Sequence, residues 1–196
     1  VNVAAGNVAV GYNSMVANTT GNESVAVGAN TLEAQTTGSE NSVVGRYAGT
    51  AITTGRFNTL VGYDCGKAIT TGGYNIALGS MALDQATTTS ENIAIGHGAL
   101  GVYTGTNGLA IGSATLANNT GASNTGVGYN VMYTNTTGAN NTAVGYNSLY
   151  ANTTGATNTA VGVSSLVANE GGSSNSAFGS GALASNVSGS SNTALG

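Results

Sequence analysis

The stretch Asn141-Thr142-Ala143-Val144-Gly145-Tyr146-Asn147-Ser148-Leu149-Tyr150-Ala151-Asn152-Thr153-Thr154-Gly155 decides the fold, because Asn158-Thr159-Ala160-Val161-Gly162 begins it again 17 residues later. Working outward from it, the closing glycine recurs as Gly11, Gly28, Gly45, Gly62, Gly79, Gly96, Gly112, Gly128, Gly145, Gly162, Gly179 and Gly196. The step is 17 residues except for two of 16 between Gly96 and Gly128, where Thr-Thr-Gly shortens to Thr104-Gly105 and Thr120-Gly121. A deletion confined to one place marks a turn. A fixed short period of this kind is the signature of stacked structural repeats.

Each column of the repeat has its own chemistry. A large apolar residue precedes the glycine throughout, as in Val10, Val61, Ile95, Val144, Val161 and Phe178. A small one usually precedes that, as in Ala9, Ala77, Ala143, Ala160 and Ala177. Strand alternation puts the two columns on opposite faces. The sequence pattern predicts a strand covered on both faces, with a roomy core on the large side and a close-packed surface on the small side. Four residues past the glycine stands Leu or Met (Met15, Leu32, Leu83, Leu149, Leu166), replaced only by Gly49 and Gly66, and this column predicts a second core wall. The glycine of Thr-Thr-Gly suits a turn with positive φ. Four residues before the corner glycine, Asn fills the column except at Ser24 and Gly108. Asn amides about 4.8 Å apart can bond up the stack as a ladder, or each can serve its own turn.

The expected fold class is therefore all-β: a parallel β-solenoid or β-roll of 17-residue coils. Residues 1–196 form a single repeat domain of about twelve coils, expected to be a piece of a longer fibre. Composition agrees. Charged residues make up 5% of the chain, against about 25% in ordinary domains. Disorder would account for the low complexity, but not for the abundance of Val, Ile and Thr. A net charge of −4 with three basic residues opposes a nucleic-acid partner. No apolar run approaches the roughly 20 residues of a membrane span, and no signal peptide opens the chain.

The segments Ser24-Val25-Ala26-Val27-Gly28 and Asn92-Ile93-Ala94-Ile95-Gly96 resemble the Ser-Val-Ala-Ile-Gly repeats in the heads of trimeric autotransporter adhesins. The longer unit 141–155 resembles the repeat shafts of phage tail-fibre-like proteins. The resemblance implies trimers of parallel β-rolls, with the large apolar residues inside each roll and Ala at the trimer contact. It covers the whole chain, but the period exceeds that of the adhesin heads. Neither a membrane anchor nor a chaperone domain lies within the 196 residues. The implied function is a structural and adhesive fibre segment, on a virion tail fibre or a bacterial cell surface. It would be extracellular and hold a receptor-binding tip away from that surface, with binding along the shaft. Its partners would be other copies of itself and a host-surface glycan or protein receptor.

Candidate chemistry is sparse. Gly96-His97-Gly98-Ala99-Leu100-Gly101 and Gly179-Ser180-Gly181-Ala182-Leu183-Ala184 meet the formal dinucleotide fingerprint, but that motif needs a following helix, and both matches fall on the corner glycine. One histidine, His97, and one cysteine, Cys65, cannot by themselves build a zinc site, although a trimer would bring three His97 side chains towards one axis. No catalytic set, metal site or cofactor is expected, and the acidic residues read as solubilising. The candidate binding residues are Tyr129, Tyr133, Tyr146 and Tyr150, in consecutive coils, and the basic residues Arg46, Arg56 and Lys67. The tyrosines form either an exposed aromatic strip or cross-coil packing. The basic residues give an electropositive band, a contact for an acidic glycan or another fibre component, beside a zone where Ile52 and Ile69 replace the missing leucines. The alternative function is a single-chain solenoid that binds ice through Thr ladders, although Ile76, Ile93 and Leu109 interrupt the strand Thr column. A repeat-bearing enzyme comes third.

Overall fold

The computed structural model describes residues 4–196, and the described chain is a parallel β-solenoid. Twelve three-residue strands, β1 (Val8–Val10) to β12 (Thr193–Leu195), form one sheet in sequence order. Every neighbouring pair is parallel and in register on the repeat, as in Thr142↔Thr159, Ala143↔Ala160 and Val144↔Val161. The 16-residue coils keep the register, with Ile93↔Leu109 and Leu109↔Thr125 paired. The missing residue is therefore absorbed in the turn, as the sequence predicts.

The rest of each coil is irregular in outline but bonded at every level. Residues two and four past the corner glycine take left-handed φ, for example Asn147 at 50° and Leu149 at 54°. The alternation sends successive amides in opposite directions along the stack. The Asn147 N–H donates down to the Tyr129 carbonyl at 3.0 Å, and the Leu149 N–H donates up to Ser165 at 2.9 Å. A left-handed non-glycine residue costs roughly 1–2 kcal/mol. Full burial of a leucine returns about 1.5–3 kcal/mol, which offsets the strain. Gly49 and Gly66 share this conformation at φ 57° and escape the strain, but give up the side chain.

Sidedness is the reverse of the sequence expectation. The small column points inward: Ala26, Ala77, Ala94, Ala143, Ala160 and Ala177 are fully buried within the single chain. The large column points outward, with Val44, Val61, Ile111, Val144 and Phe178 exposed. The reason is width. The Leu wall (Leu83, Leu100, Leu149, Leu166) already fills the interior opposite the strand, leaving room there for a methyl group. Two coils show the volume being exchanged. Where the Leu wall falls to Gly49 and Gly66, the strand carries the larger Val43 and Leu60, both fully buried. A Cβ on Gly66 would stand 2.8 Å from Leu60 Cδ1 and 3.0 Å from Ile69 Cδ1. Ile52 and Ile69 are also fully buried, so they fill part of the vacated space and Leu60 fills part.

Polar side chains complete the interior. The expected ladder exists: Asn58 Nδ2 donates to Asn41 Oδ1 at 3.1 Å, and Asn75 and Asn92 continue it at 3.0 Å. Most of these asparagines also reach a turn carbonyl, as from Asn58 Nδ2 to Gly72 O at 3.0 Å. A second ladder, unforeseen from the sequence, runs through the Asn of Ala-Asn-Thr-Thr-Gly. Asn152, Asn169 and Asn186 donate in turn to Asn135, Asn152 and Asn169 at 2.6–2.9 Å. The strand ladder lapses at Gly108, beside Tyr103, which is fully buried and ends the break in the second column that begins at Gln35. Its ring packs where a Cβ on Gly108 would stand, and its hydroxyl donates to Thr106 O at 2.9 Å.

One glycine column differs from expectation in its cause. The turn glycines do not take positive φ. They are needed because a Cβ on Gly55 would lie 2.4 Å from the Gly72 carbonyl of the next coil.

Candidate functional site

With both walls and both ladders turned inward, the outer surface holds whatever binds. Its main feature follows from the reversed strand. Residues one and three before the corner glycine line one outward sheet face. The first of these columns is apolar from Val10 to Leu195 without a polar interruption. Exposed Val8, Val25, Ile76 and Ile93 widen it in several coils. Stacked strands rise about 4.8 Å each, so the stripe runs roughly 53 Å. Soluble monomers rarely expose a continuous apolar stripe of this length. Between its apolar members, the outer of the two columns holds Thr in Thr59, Thr125, Thr142 and Thr159. The first threonine of the Thr-Thr-Gly turns is committed elsewhere. The hydroxyls of Thr36, Thr53, Thr70 and Thr136 donate to the carbonyl one coil on.

The four candidate tyrosines form two cross-coil stacks. Tyr129 and Tyr146 lie 5.7 Å apart and 6° from parallel, and Tyr133 and Tyr150 lie 5.7 Å apart at 7°. Both readings from sequence therefore meet in one arrangement. The rings pack on each other along the axis, and Tyr129 and Tyr146 stay about half exposed.

The three basic residues divide into two places. Arg46 lies over the Tyr47 ring with its guanidinium carbon 4.5 Å from the centroid, and its Nη2 donates to the Tyr47 hydroxyl at 3.0 Å. Lys67 approaches the same ring at 5.6 Å, and Tyr63 meets Tyr47 edge to face. Lys67 also donates to Asp64 Oδ2 at 3.1 Å, and this hydrogen bond raises its pKa. That ion pair neutralises one charge of the expected electropositive band. Burial chiefly, with the Asp64 charge adding to it, raises the Asp84 pKa nearby. Arg56 lies apart, lining an outer groove with Phe57 and Tyr74. Those two aromatics were not singled out in the sequence, because they interrupt a column that is otherwise polar.

His97 is exposed, and no group of three or more His, Cys, Asp or Glu among the described residues could hold a metal ion. Cys65 is fully buried and donates to Ala77 O at 3.2 Å; burial pushes its thiol pKa up to about 12. Both fingerprint-like glycine motifs sit at corners, where Gly98 and Gly181 occupy the left-handed position that non-glycine residues such as Asn13, Tyr47, Ala114 and Ser164 take in other coils. No described helix is long and apolar enough to cross a membrane. No family model matches the chain, nor does any curated protein or solved structure.

Proposed function

We propose that this chain is a shaft segment of a parallel homotrimeric fibre, extracellular and on a virion tail or bacterial surface. In this reading it holds a receptor-binding tip away from that surface and binds receptors along its length. The observation that supports the reading is the outward apolar stripe. A chain with ten charged residues and a stripe of Val, Ile, Leu and Phe from end to end needs a partner along its whole length. Another copy of the chain fits, because it carries the same repeat with the same rise, so each residue meets an equivalent environment at every coil. Three chains around an axis would bring the stripes together. The contact would then be made by the large column (Val44, Val61, Val144, Phe178) and not by alanine. The resemblance to adhesin heads and tail-fibre shafts also favours a trimer, though with alanine at the contact, and here the alanine column is buried inside the single chain.

The deciding experiment is solution mass by light scattering. The expected result is three times the 18.9 kDa chain. A monomer at micromolar concentration would refute the fibre reading.

A further inference from the structure

We propose that the outer groove formed by Phe57, Tyr74 and Arg56 is a binding site for a neutral oligosaccharide. The inference deepens the receptor-binding part of the proposed function, but stands on its own geometry.

Phe57 and Tyr74 occupy a column five residues before the corner glycine. Every described member from Glu23 to Ser191 has φ between 54° and 62°. Elsewhere in these coils the column carries Glu, Asn, Ser or Thr, polar residues that face water. Neither ring serves the core: Phe57 is 43% exposed and Tyr74 61%. They stack on each other with centroids 4.7 Å apart and planes 18° from parallel, forming a fixed apolar platform on a polar flank.

The platform stands in a groove of about 310 Å³ lined also by Thr54, Thr71, Ser90 and Arg56. Gly73 lines the same groove, in a column that holds Arg56 and Ser90 in the neighbouring coils, and adds no side chain there. A second groove of about 310 Å³ adjoins along the axis, lined by Thr37, Ser39, Glu23 and Glu40. Arg56 lines both grooves. Its side chain makes no ion pair or hydrogen bond among the described residues, so its donors are free for a ligand.

An apolar platform edged by hydroxyls, with a free guanidinium between it and two carboxylates, matches the chemistry of pyranose rings. The C–H face of one ring stacks on the aromatic pair. Arg56 donates to ring hydroxyls, and Glu40 and Glu23 accept from those of the next sugar. The carboxylates of Glu23 and Glu40, the Glu91 side of the column and the net charge of −4 disfavour an acidic glycan. The two grooves in line fit an extended chain of sugars lying along the fibre axis.

The test is saturation-transfer NMR and calorimetry of the full chain with cellohexaose, maltohexaose and an immobilised panel of neutral glycans, and with hyaluronan hexasaccharide as the acidic probe. Neutral glycans are expected to bind and the acidic probe not to. Phe57→Asn and Tyr74→Asn restore the residue found at Asn107 and Asn140 and so keep the fold. Each should weaken binding by about tenfold, the effect of losing one stacking face. Arg56→Gln should weaken it similarly, while Tyr129→Ala should not. Overturning results are no neutral binding at millimolar ligand, preference for the acidic probe, binding only by a protein, or binding unchanged in both asparagine variants. A trimer that binds nothing would refute this site alone. A monomer that binds through Phe57 and Tyr74 would refute the fibre and leave the site.

Discussion

At the scale of the residue, stability rests on inward positions with no slack. Ile52 and Ile69 are fully buried beside the glycine gaps, whereas Val16 is largely exposed. Ile52→Ala and Ile69→Ala should each cost about 2–5 kcal/mol, and Val16→Ala less than about 0.5 kcal/mol, measured by chemical denaturation. Equal losses at all three would show that the isoleucines are not core substitutes. Gly66→Leu should also destabilise the fold, because its Cβ meets Leu60 at 2.8 Å, and adding Leu60→Ala should recover much of the loss. Titration offers an independent check. Burial raises the pKa of Cys65 from 9.0, and that of Tyr103 from 10.0, to about 12 in each case. The folded chain therefore holds these protons more tightly than the unfolded chain. Their contribution is complete below about pH 9 and is lost as pH rises towards 12. Thermal stability should fall across that window, and Tyr103→Phe should flatten part of the fall. Cys65 should resist alkylation at pH 8 until the chain unfolds.

At the scale of the element, the ladders make the coils cooperative. Asn58 accepts from Asn75 through Oδ1, while its Nδ2 donates to Asn41 Oδ1 and Gly72 O. Asn58→Asp would set a carboxylate against both of those acceptors. It should cost more than the roughly 1–3 kcal/mol of an unsatisfied neutral group. Its folded pKa would rise above the unfolded value near 3.9, so stability should recover as the pH falls through the folded value. A loss that does not depend on pH would mean that the aspartate had left the ladder. The first Asn ladder was legible in the sequence because identical residues recurred at the strand. The second was not, since Gln35, Ile52, Ile69, Ala86 and Tyr103 break its column over half the chain.

At the scale of the whole molecule, the outward stripe separates folding from assembly. Val144→Lys and Val61→Lys add charge to an exposed face, so the strand-rich circular dichroism of the chain should persist. In a trimer the same lysines would be buried at the contact, and scattering should report monomers. Ala143→Lys, one residue away, points into the core and should abolish folding. If Val144→Lys leaves the mass at three chains, the stripe is not the contact.

The repeat alone determined the period, the parallel register across the two short coils, the second wall and the strand ladder, because each is a column property and stacked coils align columns. It also located the basic residues and tyrosines by coil, but not their grouping into the Arg46–Tyr47–Lys67 corner and the separate Arg56 groove. Those depend on where around the coil each column points. Which face of the strand turns inward was decided by tertiary structure. Alternation separates Ala143 from Val144 but carries no sign, and apolar size favoured the wrong one. Coil closure sets the sign, because the left-handed Leu wall leaves the interior too narrow for two large columns. Two clues to this were present in the residues. Asn141 and Ala143 must share a face, so a buried ladder brings the small column in with it. Val43 and Leu60 also enlarge the small column in the same two coils where Gly49 and Gly66 empty the opposite wall, as residues sharing one interior must.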